Sequence, residues 1–101
     1  MLNSWGYKVA EIIFGKPYWE DGEIREFDVN RDDAEYVWHC DLEDREIEIL
    51  EGDGWQFQFD RCLPWVLTRG MIFDITKNEY HRLIKGTTNL KLRIIKKHAK
   101  F

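Results

Sequence analysis

The chain has no apolar run that approaches a membrane span, which takes about 20 residues as a helix. Its opening residues, Met1-Leu2-Asn3-Ser4-Trp5-Gly6, lack the charged region followed by an apolar stretch that marks a secretory leader. The expected location is the cytoplasm, with no membrane partner. Cysteine is scarce: Cys40 and Cys62 have no metal-finger spacing, and the expectation is two reduced thiols rather than a zinc site or a disulfide framework. No helical period, internal repeat, low-complexity stretch or linker is evident. These absences exclude a helical bundle, a solenoid and a string of flexibly joined domains.

What is present is enough for one well-filled interior. The 101 residues are 44% hydrophobic and 15% aromatic, with five Trp and six Phe, which excludes a disordered chain and predicts a single domain over residues 1–101 with bulky packing. Charge is divided along the sequence. Residues 1–60 hold 17 acids and 5 bases, a net −12, while residues 61–101 hold 10 bases and 2 acids, a net +8. A basic C-terminal end could contact nucleic acid. An acidic total opposes that at long range, and a fold that pairs early strands with late ones would set the two signs side by side as surface pairs. A nucleic-acid partner is therefore not expected.

Almost every segment reads as a short strand followed by a turn. Lys8–Phe14 is β-branched and ends at Gly15-Lys16-Pro17, and Gly22 opens the alternating run Glu23–Val29. Tyr36–Asp41, Arg45–Leu50, Trp55–Phe59, Pro64–Leu67, Met71–Ile75, Tyr80–Ile84 and Leu90–Ile95 follow, separated by turn residues. Nine or so strands at even spacing predict an all-β antiparallel sandwich or barrel. The basic tail at 96–101 is expected to fray.

One constellation carries chemistry. In a strand, His39 and Asp41 of His39-Cys40-Asp41 share a face while Cys40 points the other way. With His81 rising on a neighbouring strand, two imidazoles and one carboxylate would meet at a point, a set suited to a non-heme iron-type metal with open coordination positions. The same residues could act without metal, His39 or His81 serving as an acid/base group oriented by Asp41.

The two stretches that hold these residues resemble the motifs of the single-domain cupins, small jelly-roll β-barrels also described as double-stranded β-helices. Gly70, the turn Thr76-Lys77-Asn78 and His81 resemble the second cupin motif, with Thr76 and Asn78 in place of the usual proline and glycine. His39-Cys40-Asp41, Arg45 and Gly52 resemble the first, with Asp41 replacing a histidine and Arg45 standing where the family has a glutamate. The usual asparagine after the second motif is replaced by Lys85-Gly86. The likeness spans roughly residues 36–95, with residues 1–35 fitting additional N-terminal strands. Within the family it looks most like short members from marine bacteria and their viruses.

The resemblance implies an antiparallel jelly-roll barrel with a site inside it, in a family of dioxygenases, isomerases, epimerases, sugar-binding modules and proteins without catalysis. On that reading His39, Asp41 and His81 hold a divalent Fe, Mn, Ni or Zn ion, and Arg45 pairs Asp41 or clamps an anionic group of a small-molecule ligand. Tyr80 or Tyr36 could steady an oxyanion in a metal-free isomerase, and Gln56 and Gln58 could hydrogen-bond a ligand if the amides of their strand face inward. If Trp55, Phe57 and Phe59 face inward instead, the interior is filled. Trp5, Trp19, Trp38 and Trp65 could form an outer aromatic face, which predicts a homodimer.

Overall fold

The computed structural model describes residues 18–31 and 36–97. Among these residues lie eight strands: β1 (Tyr18–Asp21), β2 (Ile24–Phe27), β3 (Asp44–Glu51), β4 (Gln56–Phe59), β5 (Trp65–Val66), β6 (Ile72–Ile75), β7 (His81–Ile84) and β8 (Leu90–Lys97). They form two antiparallel sheets, ordered β1-β2-β8-β3-β6 and β5-β4-β7. The expected closed barrel is corrected here. No described hydrogen-bonded strand pair joins the sheets, so they face each other across a shared core as a sandwich.

The pairing is nested. β4 pairs β5, β3 pairs β6, the backbone at His39 bridges β7, and β2 pairs β8. The chain from β2 to β8 is thus one long antiparallel ribbon folded back at the β4–β5 connection and rolled up. Rolling adds the β3–β8 and β4–β7 pairs.

Alternation decides which side chains are covered. On β3, Ile47 and Ile49 are buried while Glu46 and Glu48 lie on the opposite face, and on β8 Leu90, Leu92 and Ile94 are buried against them. Trp55, Phe57, Leu67 and Leu83 supply the facing layer, and Phe27 and Ile75 complete the core. Each fully buried apolar side chain of this size contributes about 1.5–3 kcal/mol. The aromatic face of β4 is therefore the inner one, which puts Gln56 and Gln58 on the outside. Trp65 also departs from the expected outer face: it packs inward against Phe57 and Phe73, at ring-centroid distances of 5.3 and 4.7 Å.

Two strand expectations need correction. The run Tyr36–Asp41 is not a strand, since only His39 makes a bridge, to His81. The sequence also gave no sign of β1, a half-charged segment directly after Pro17. It folds back on β2 through Gly22-Glu23, where Gly22 has φ +61° as a two-residue hairpin loop requires. The expected strand at residues 8–14, Trp5 and the tail beyond Lys97 lie outside the described residues.

Candidate metal centre

The site is built on one cross-strand pair. His39 N–H donates to the His81 carbonyl at 3.1 Å and His81 N–H donates to the His39 carbonyl at 2.9 Å. Residues opposed in this way put their side chains on the same face. The imidazoles meet edge to face with centroids 4.4 Å apart. Asp41, two residues on, returns to that face and is buried, and its carbonyl is held by the Asn78 N–H at 2.8 Å. Asn78 has φ +66°, so the turn before β7 uses the non-glycine residue that best tolerates this conformation.

Both rings are anchored in the same way. Nδ1 of His39 lies 2.8 Å from the Val37 carbonyl, and Nδ1 of His81 lies 2.8 Å from the Glu79 carbonyl. A carbonyl oxygen only accepts, so each Nδ1 carries the proton. In the neutral rings Nε2 then keeps its lone pair, and this is the orientation that metal-ligating histidines adopt. One ligand atom from each of His39, Asp41 and His81 falls within 4.8 Å of the others. Bound ligands sit about 3 Å apart when metal–ligand bonds are near 2.1 Å, so a cation would draw the three inward.

Electrostatics point the same way. Asp41 Oδ2 is buried without a hydrogen bond and faces His81 Nε2 at 3.4 Å. Two lone-pair atoms at that distance repel unless a proton or a metal ion lies between them. The other oxygen, Oδ1, faces Arg45 Nη1 at 3.4 Å, while Arg45 Nε donates to Glu43 Oε2 at 2.7 Å. Burial pushes the Asp41 carboxyl up, but the His81 contact, the Arg45 guanidinium and, whenever they are protonated, the two imidazoles outweigh it. The group ends below the usual aspartate value.

Arg45 thus shares the inner face of β3 with Ile47 and Ile49, where it sets the carboxylate rather than reaching past it. Around the site, Phe57 stacks on His81 with a centroid distance of 5.3 Å and an interplanar angle of 24°. A cavity of about 30 Å3 adjoins Asp41, Arg45 and His81 and is otherwise walled mainly by core side chains.

Other residues do not join this cluster. Tyr80 is 52% exposed, because it is one residue out of phase with inward-facing His81. Gln58 lies on the outer face, where Oε1 accepts from Arg82 Nε at 2.9 Å and Nε2 donates to the Cys62 carbonyl at 2.9 Å. Gln56, two residues before it, shares that outer face and does not line the cavity. Tyr36 packs in the interior against Phe27 and Trp55, away from the cluster. Sequence reasoning missed Arg25, a buried cation on β2 that also lines the cavity. Its alternation with Phe27 was the available signal. Arg25 is held by Glu20 at 2.7 Å and lies over the Tyr18 ring at 4.0 Å.

No known family and no curated protein matches the chain. Among solved structures, the crystal structure of protein NMB1881 from Neisseria meningitidis is similar, with a TM-score of 0.51 and 18% identity over 78% of this chain and 78% of that one. At that identity the likeness bears on the all-β fold alone.

Proposed function

We propose that this is a small cupin-like jelly-roll protein that binds one divalent metal ion through His39, Asp41 and His81 and takes up a small ligand beside it. The observation that carries the reading is the matched anchoring of the two rings, each fixed through Nδ1 to the carbonyl two residues earlier, with His81 Nε2 facing the Asp41 carboxylate at 3.4 Å. The nested strand pairing supports the jelly-roll assignment.

The donor set of two imidazoles and one carboxylate suits Fe, Mn, Ni or Zn and leaves coordination positions open. When bound, such an ion supplies Lewis acidity and, if iron or manganese, redox chemistry, which fits an oxygenase or an isomerase. The protein's part is orientation: the His39–His81 bridge sets the ring spacing, Arg45 turns Asp41, and Phe57 and the core exclude water. Binding without catalysis uses the same geometry.

The His81–Asp41 contact at 3.4 Å favours one second reading, a metal-free acid/base pair in the manner of sugar isomerases and epimerases. On either reading the protein works in the cytoplasm, and exposed Trp19 and Ile72 on the outer face of the larger sheet support pairing as a homodimer.

Elemental analysis of protein purified without chelator, followed by reconstitution with each of the four metals, separates the two. Close to one equivalent of metal that His81→Ala abolishes is the expected result. Protein that holds no stoichiometric metal after reconstitution with any of them leaves only the acid/base reading.

A further inference from the structure

Resting on the metal-binding reading above, we infer that Trp38, Arg82 and Gln58, a row of side chains on the outer face of the smaller sheet, are positioning residues for the metal centre. They hold His39 in register with His81 from behind, and so set the affinity and geometry with which a divalent ion is taken up.

Register places the row at the back of the site. His39 bridges His81, and His81 stands opposite Phe59, so these three share one row on the inner face. One residue along each strand, side chains point the other way. There Gln58 stands opposite Arg82, and on the far side of Arg82 the Trp38 ring centroid lies 4.8 Å from the guanidinium. The outer row Trp38–Arg82–Gln58 backs directly onto the inner row His39–His81–Phe59.

The outer row is joined side chain to side chain. Arg82 Nε donates to Gln58 Oε1 at 2.9 Å, and Gln58 Nε2 donates to the Cys62 carbonyl at 2.9 Å. The guanidinium is thereby fixed on β4 while it covers an indole carried by the connection between β2 and β3. Trp38 itself lies between Val37, whose carbonyl anchors His39 Nδ1 at 2.8 Å, and His39. Holding the indole therefore holds both the ring anchor and the ligand residue.

The segment needs such a hold. It is not a strand, and its backbone meets β7 and the turn before it through the His39–His81 pair and the bond from Asn78 N–H to the Asp41 carbonyl. Trp38 is 42% exposed and stands outside the core cluster, so its anchorage comes from the outer face. A site assembled from a docked segment binds with its intrinsic dissociation constant divided by the docked fraction. Releasing Trp38 from Arg82 can then weaken metal binding by a factor of about two to five, the worth of an exposed cation–π pair.

The test measures Co(II) affinity by competition with a chelating indicator, together with the visible bands of the bound ion, in the whole chain and its variants. Trp38→Ala should weaken binding about twofold to fivefold, and Arg82→Ala, which also loses the Gln58 bond, by up to about tenfold, both with shifted bands as His39 leaves its place. Trp38→Phe keeps a ring beneath the guanidinium and should restore affinity and bands. The double alanine variant should bind no more weakly than Arg82→Ala alone, since the two residues share one contact. Gln56→Ala, on the same face but outside the row, should match the parent. Should either alanine variant fail to fold, Arg82→Lys, which keeps the charge and loses the Nε bond, should give an intermediate loss.

Unchanged Co(II) affinity in the folded Trp38 and Arg82 variants would overturn the positioning role while leaving the metal centre intact. So would a loss that Trp38→Phe does not restore, or an equal loss in Gln56→Ala, either of which marks a general loosening of the sheet. A parent chain that takes up no Co(II) overturns the metal reading, and the inference with it.

Discussion

Arg45 illustrates how one side chain can support the folded chain and oppose its ligand. It shares a nearly enclosed space with Asp41, and Glu43 holds its Nε at 2.7 Å. Removing one member of a buried pair leaves the other charge uncompensated. Arg45→Met should therefore cost about 3 kcal/mol of stability without metal, and the double variant with Asp41→Asn should recover much of it in a urea-unfolding cycle. The same substitution removes a positive charge near the proposed cation site, so metal affinity should rise by calorimetry even as the metal-free protein weakens. A fall in both would mean that Arg45 shapes the site rather than balancing its charge. Asp41 gives a second test, in pH. Its folded-state pKa lies below the usual value because the His81 contact and the neighbouring positive charges outweigh burial. Its contribution is then complete above the unfolded-state pKa, near 3.9, and is lost as pH falls through the lower folded value. The stability gap between the parent and Asp41→Asn should hold through neutral and mildly acidic solution and close only below about pH 4.

Among the elements, much of the fold was legible in the sequence because alternation and turn chemistry are local. The glutamate–isoleucine repeat of β3 and the leucine–basic repeat of β8 both appear as read. Their opposite charges meet on the outer face, where Arg93 pairs with Glu48, and Lys97 lies 3.5 Å from both Glu46 and Asp74. The division of acids and bases along the chain is thus resolved by strand pairing. Tyr36–Asp41 looked like a strand on β-propensity, but propensity reflects packing, and Val37 and Trp38 are both exposed, with the Arg82 guanidinium over the Trp38 ring. β1 was missed because a short edge strand with three exposed residues has no apolar period to show. At the site, the shared face of His39 and Asp41 could be read from spacing. The Nδ1 anchors depend on backbone carbonyls that no motif encodes, whereas the inward pointing of Arg25 was open to reading from its phase with Phe27. Gly86 stood out only as a departure from a motif, and the structure supplies its physical reason: a methyl group there would lie 2.0 Å from the Asp53 carbonyl oxygen and 2.6 Å from the Trp55 nitrogen. Because the obstacles are backbone, Gly86→Ala should destabilise by about 3 kcal/mol and loosen Trp55, visible as a shift in its fluorescence. A cost within the ordinary surface range of about 0.5 kcal/mol would show that the two loops separate easily.

At the scale of the molecule, the rolled ribbon makes the proposed centre a fastener between distant parts of the chain. His39 and Asp41 lie in the connection between β2 and β3, whereas His81 begins β7, and the two stretches meet through the His39–His81 bridge and the hydrogen bond from Asn78 N–H to the Asp41 carbonyl. That bridge lies at the edge of the smaller sheet, where neighbouring strands offer little additional pairing. An ion held from both sides would replace the repulsion between Asp41 Oδ2 and His81 Nε2 with attraction, and its binding free energy would appear directly as folding stability. For free metal at 100 times its dissociation constant this amounts to about 2.7 kcal/mol, which in a domain of this size raises the melting temperature by roughly 10–20 °C. The increment should follow the logarithm of free metal concentration, vanish with excess chelator, and be absent from His39→Ala and His81→Ala measured against their own metal-free baselines. Scanning calorimetry across a metal titration can read both slope and baseline. A melting temperature that rises equally in the parent and in both histidine variants would trace the effect to surface carboxylates, and a flat titration would leave the two imidazoles as no more than packing for the edge of the sheet.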